Sequence, residues 1–236
     1  NAIRMGADPS RVVMTGTVAE IREPLGCTEA EREGFAELLH GRHAWLAAAV
    51  PEAEEQAVLN AHRAAMRQSH RALLFLSPRD TSRIDVLAET VEAQGLLAGR
   101  RTRDEEPTDE IHVMITDGTT EMGLWYRLAP VTYMGGTLSG DDAAARHPFE
   151  PAALGSAIVH GPATSRRQTE WQQLDGAGAA RLVADADGLA TAIAELTQPD
   201  LVAALASSAW TVSTGGADVA NRIVAPVLGA LQGVRA

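Results

Sequence analysis

Short apolar runs alternate with segments of helical period along almost the whole chain. That alternation constrains the fold more than any other feature. "AWLAAAV" (Ala44–Val50), "ALLFL" (Ala72–Leu76), "IHVMI" (Ile111–Ile115), "VTYMGG" and "SAIVHGP" are each strand-length and nearly free of charge. Strands that carry apolar side chains on both faces belong to a parallel sheet covered on both sides. "VVMT" (Val12–Thr15), "GLLAG" and "AARLV" read as further short strands. The expected fold is therefore α/β: a Rossmann-like parallel sheet of about six to seven strands with helices on both faces. Aromatic residues make up only 4% of the chain, so Leu, Val, Ile and Ala must fill the core.

The helices are predicted from their punctuation. Thr28, with Glu31 three residues on, has capping-box spacing, and Gly41 closes that segment. Pro51 followed by Glu52, Glu54 and Glu55 opens a long helix to about His70. Further helices are expected over Ser82–Gln94, within "TSRRQTEWQQLDGAG", and over Ala186–Leu196, Asp200–Ser208 and Gly216–Leu231. "RRTRDEEPTDE" reads as a solvated loop. All 236 residues are expected to form a single domain. The opening Asn1-Ala2 lacks a Met and reads as a cloning remnant, so the chain is expected to be the later part of a longer protein.

Several function classes are disfavoured. The net charge of −11 argues against a nucleic-acid grip over the whole surface. Cys27 is the only cysteine, which leaves no intramolecular disulfide and no Cys-based zinc site. No apolar run approaches the ~18 residues of a membrane span, and no signal peptide is visible. The chain has no lysine, so the Walker motif is absent, and it has no G-x-G-x-x-G and no G-x-S-x-G.

In an open parallel sheet, ligands bind beyond the carboxyl ends of the strands. Four post-strand segments are therefore the candidates: "SPRDTSR", "TDGTTEMG", "GGTLSGDDAAARHPFEPA" and "GPATSRR". Taken singly, each also reads as an ordinary turn or cap. Together they make a nucleotide-sugar site. Gly135 and Gly136 would let a ligand approach the backbone. The helix beginning near Pro148 would offer free N–H groups to a phosphate. Glu150 would accept bonds from ribose hydroxyls, and Arg79 and Arg166 would pair with a phosphate or carboxylate.

"VVMTGT", "GRHAWLAAAVPEAEEQAVLNAHR", "LLFLSPRDTSR", "DGTTEMGLWYRLAPVTYMGGTL" and "HPFEPAALGSAIVHGP" resemble, in order and spacing, the C-terminal half of the 3-deoxy-D-manno-octulosonic acid (Kdo) transferases. The resemblance implies the donor-binding half of a two-domain GT-B glycosyltransferase. The donor would be CMP-Kdo and the acceptor a lipid A precursor held by a missing N-terminal domain. The site would lie at the cytoplasmic face of the inner membrane, with the fragment itself soluble and membrane association only through the missing half. It implies a nucleotide site at Pro78, Arg79, Gly118, Glu121, Gly135, Gly136, Thr137, His147, Glu150 and Arg166. It implies no metal or cofactor and no catalytic residue in this half, so the fragment alone would transfer nothing. The chain departs from the family pattern at Val50–Glu52, Asp80, Arg146, His147, Ala163 and Arg166. Two other readings stay open: a degenerate, non-catalytic nucleotide-binding protein, and a GT-B enzyme using another nucleotide sugar.

Overall fold

The computed structural model describes residues 6, 23–141 and 145–215. Residues 24–213 form one compact unit. A second unit, drawn from the two chain ends, lies almost wholly outside the described residues. So do the strand expected at Val12–Thr15 and the helix expected at Gly216–Leu231.

The unit is a seven-stranded sheet. Its strands are β1 (Ala44–Val50), β2 (Leu73–Pro78), β3 (Ala98–Arg100), β4 (Val113–Ile115), β5 (Val131–Met134), β6 (Ala157–His160) and β7 (Ala180–Leu182). Their order is β3-β4-β2-β1-β5-β6-β7. Every neighbouring pair is parallel, as Leu46 opposite Phe75 and Leu46 opposite Thr132 illustrate. The connections are α1 (Glu29–Leu38), α2 (Glu52–Gln68), α3 (Ile84–Ala93), α4 (Met122–Leu128), α5 (Phe149–Ala153), α6 (Gln168–Gly176) and α7 (Ala186–Glu195). The chain is helical again from 199, and this stretch runs past the expected end at Ser208.

Strand residues point alternately to two faces, and the two cores divide accordingly. Trp45, Ala47, Leu74, Leu76, Val113 and Ile115 pack with α2, α3 and α7. Leu46, Ala48, Leu73, Phe75 and Met114 pack with α1 and α4. Phe35 and Phe75 both lie against the ring of Trp125, at 5.4 and 5.0 Å between centroids. Helices thus cover both faces, as the apolar runs require.

One expected cap is absent. Thr28 makes no side-chain bond to the start of α1. Glu31, its capping-box partner, turns instead to Arg101 across the fold. A guanidinium offers a charge-assisted bond that outcompetes a single backbone amide.

Candidate functional site

β1 leads to one side of the sheet, into β2, and β5 leads to the other, into β6. A crevice is expected beyond the carboxyl ends of these two strands, where the order reverses. β1 ends irregularly. Its register to β2 shifts between Ala47 and Val50, and Ala49 adopts φ +52°, which is costly for a residue with a Cβ. The kink sends the Val50 carbonyl to the Arg79 amide at 2.9 Å.

Gly135 and Gly136 follow β5 at this end of the sheet, but the space beside them is taken by the protein. A Cβ on Gly135 would lie 2.6 Å from the carbonyl oxygens of Ala48 and Ala49. A Cβ on Gly136 (φ +86°) would collide with the Arg79 guanidinium and the Asp141 carbonyl. Three amides of this loop, those of Gly136, Leu138 and Ser139, are also occupied. Glu54, in the first turn of α2, is 2% exposed. Its Oε1 accepts from Leu138 N (3.0 Å), Ser139 N (2.7 Å) and Ser139 Oγ (2.7 Å). Its Oε2 accepts from Gly136 N (2.7 Å) and Tyr133 Oη (2.7 Å). Burial, and then the Glu54 charge, push the Tyr133 phenol well above its ordinary pKa, so it stays a donor. Leaving any one such buried group unsatisfied costs about 1–3 kcal/mol. By its position in the first turn Glu54 is an ordinary helix-dipole acid; nothing local signals that its partners lie 79–85 residues away.

The expected phosphate cradle at Pro148 is corrected by the geometry. α5 has five residues, and its first-turn amides are spent or absent. Phe149 N donates to His147 Nδ1 at 3.1 Å, and Glu150 N donates to the His147 carbonyl at 3.0 Å. Pro148 and Pro151 have no N–H. His147 itself is buried. Because its Nδ1 accepts, the neutral ring carries its proton on Nε2, which lies 3.3 Å from Glu170 Oε1.

Glu150 differs. Its Oε2 accepts from Arg146 Nε (2.8 Å) and from Tyr126 Oη (3.3 Å). Its Oε1 makes no hydrogen bond among the described residues, and the side chain is 14% exposed. Burial, then the Glu150 charge, raise the Tyr126 pKa far above that of a free phenol.

The remaining candidates divide in the same way. Arg79 Nη1 pairs with Asp141 Oδ2 at 2.6 Å and Nη2 donates to the Asp141 carbonyl at 2.9 Å. Its buried Nε has no partner among the described residues. Pro78 closes β2 beside Gly118, whose carbonyl is pinned by Ser77 Oγ (2.7 Å) and Thr116 Oγ1 (2.9 Å). A Cβ on Gly118 (φ +83°) would meet Thr81 at 2.7 Å. Glu121 spends both oxygens on Arg101, at 3.0 Å each. Arg101 also pairs with Glu31 and covers the Phe35 ring, a structural cluster. Thr137 stitches two loops together: its Oγ1 donates to the Met134 carbonyl (2.6 Å) and accepts from Gly161 N (2.7 Å). Arg166 lies on the exposed turn after β6.

The structure thus brings Pro78, Arg79, Gly118, Gly135 and Gly136 to neighbouring strand ends. It sets Glu150 of α5 against Tyr126 of α4 and His147, just before α5, against Glu170 of α6, and it commits Glu121 and Thr137 to the scaffold. A guanidinium and a half-used carboxylate remain, suited to a phosphate and to hydroxyl groups. No three His, Cys, Asp or Glu side chains among the described residues are grouped to hold a metal.

No protein-family profile matches the chain. Relatives and folds are more informative. The 3-deoxy-D-manno-octulosonic acid transferase of Bordetella pertussis is 33% identical over 163 residues, 67% of this chain and 37% of that protein. The Haemophilus influenzae enzyme of the same name is 28% identical over 123 residues, 52% of this chain and 28% of that protein. The chain therefore spans about a third of the curated relatives it matches. The C-terminal CMP-Kdo binding domain of WaaA from Acinetobacter baumannii shares the fold, with a TM-score of 0.69 and 23% identity. The match covers 78% of this chain and 98% of that domain. Sequence and fold together make this chain a divergent relative of the C-terminal domain of the 3-deoxy-D-manno-octulosonic acid transferases.

Proposed function

We propose that the chain is the donor-binding domain of a GT-B glycosyltransferase that moves Kdo from CMP-Kdo to a lipid A precursor in lipopolysaccharide biosynthesis. The observation that carries this reading is a convergence. The kinship in sequence is to Kdo transferases, and the shared fold is that of a domain described as binding CMP-Kdo. In this reading Glu150 Oε1 accepts from the ribose hydroxyls. Arg79 faces the phosphate and stabilises the charge that builds on departing CMP. The acceptor and the group that activates it belong to the rest of the protein, so this domain alone binds donor nucleotide and turns nothing over. No helix among the described residues is long and apolar enough to cross a membrane. In the proposed setting, at the cytoplasmic face of the inner membrane, contact with the bilayer comes from elsewhere in the protein.

Calorimetric titration with CMP, CDP and UDP tests the assignment. Binding with preference for CMP is expected. Tighter binding of UDP would move the protein to another nucleotide-sugar specificity. A second reading, a degenerate nucleotide-binding protein without turnover, is favoured by one observation: Arg79 and Glu150 both already hold intramolecular partners, Asp141 and Arg146. Silence toward all three nucleotides would select it.

A further inference from the structure

We propose that Glu54 is a positioning residue of the site: its carboxylate is the resident anion of the nest formed by the Gly-Gly loop, and by holding that loop it seats Arg79. The functional half of this inference rests on the donor-binding reading above; the structural half does not.

The amides of Gly136, Leu138 and Ser139 converge on one point, the arrangement that binds anions at phosphate loops. Here that point is filled from within. Glu54 brings two oxygens, and five donors from residues 133–139 saturate them. A phosphate entering this nest would have to expel a carboxylate that is 2% exposed. The loop therefore does not receive the ligand through these three amides. It acts on the ligand through Arg79. Gly136 donates its N–H to Glu54 and, lacking a Cβ, leaves the room that the Arg79 guanidinium occupies. Glu54 follows β1, and its partners lie in β5 (Tyr133) or just after it, so this one side chain ties together the two strands from which the chain leads to opposite sides of the sheet.

The test uses Glu54→Ala and Glu54→Gln in the same chain. Glu54→Ala empties the nest and is expected to lower Tm by about 10 °C. Sodium formate, compared with sodium chloride at equal ionic strength, should recover much of that loss and leave the wild type unmoved. Formate should also restore a CMP affinity that falls about tenfold or more on substitution. A merely structural side chain would not give carboxylate-specific rescue. Glu54→Gln keeps the shape and has one acceptor oxygen in place of two. Hydrogen exchange at Gly136, Leu138 and Ser139 should quicken at least about tenfold while amides of β1 and β2 keep their protection. This measurement decides the matter if Glu54→Ala does not fold. Unchanged exchange at these amides, a Tm close to wild type, or a formate response no larger than that of chloride would overturn the nest. Rescue of Tm without any change in CMP affinity would overturn the positioning role. A wild type that binds no CMP would sink the donor-binding reading and with it the positioning role, while melting and exchange would still decide the nest.

Discussion

Two carboxylates, Glu54 beneath the β5 loop and Glu150 in α5, have opposite surroundings. Glu54 is 2% exposed and has both oxygens saturated. Glu150 is 14% exposed by side chain and places both of its partners on Oε2. A buried carboxylate with every lone pair answered belongs to the scaffold, because removing it strands its donors. A partly exposed carboxylate with one oxygen unanswered retains capacity for hydroxyl donors. By the same comparison Glu121, bidentate on Arg101, belongs with Glu54.

The interior extends the contrast and gives the largest expected effect. His62 is fully buried and accepts from Trp45 Nε1 at 3.2 Å through Nδ1. Burial, reinforced by His112 and Arg42, lowers its pKa from 6.5 to about 3. The unfolded chain takes up this proton below about pH 6.5, whereas the folded chain does not until about pH 3. Acid therefore favours unfolding across that window, by up to about 1.4 kcal/mol per pH unit. His43 and His112, also lowered chiefly by burial, act in the same direction. Chemical unfolding as a function of pH should show a slope in the wild type that Glu or Asp titration alone does not give, and His62→Gln should flatten it. An identical slope in the variant would exclude His62 as the source.

Next in size is Gly135→Ala. Its methyl would press on two backbone carbonyls that cannot move aside, and a loss of about 3 kcal/mol is expected in urea unfolding. Gly140→Ala faces open space at φ +82° and should lose only about 1 kcal/mol, from backbone strain. Equal losses would mean that the close strand approach does not matter.

The two remaining tests act on the site. Glu121→Gln should lower Tm by a few degrees through the loss of the Arg101 pair, and leave CMP affinity within about twofold. If CMP affinity falls instead, Glu121 is wrongly assigned to the scaffold. Asp141→Asn should give the smallest change, a two- to threefold gain in CMP affinity of about 0.5 kcal/mol, because Asp141 competes for Arg79 across a partly exposed pair. A loss of affinity would show Asp141 to be part of the site.

Much of the fold was legible because the signals were local. Ala44–Val50 and Leu73–Pro78 are buried along their whole length, as continuous apolar runs demand. Pro51 and the acids after it marked the start of α2. The candidate site was legible only in outline. Post-strand segments pointed to the carboxyl edge of the sheet, and the Gly-Gly pair announced a close approach. The sequence does not say what approaches. Arg79 comes from β2 and Glu54 from α2, and the latter's bonds to the loop span 82–85 residues. Thr28 and Glu31 had ideal cap spacing, but Arg101, 70 residues beyond Glu31, claimed the acid. The helix expected near Pro148 is present as α5, but its brevity and the use of His147 as an acceptor for its first amide follow from packing, not from local sequence.

The comparison turns on the spare oxygen of Glu150, and one pair of titrations reaches it directly. CMP and 2′,3′-dideoxy-CMP would be titrated into the wild type and Glu150→Gln, with melting curves confirming that the variant stays folded. The account predicts that the wild type binds CMP about tenfold tighter than the dideoxy nucleotide, a difference of about 1.4 kcal/mol, and that Glu150→Gln loses this discrimination. Full discrimination in Glu150→Gln would contradict it.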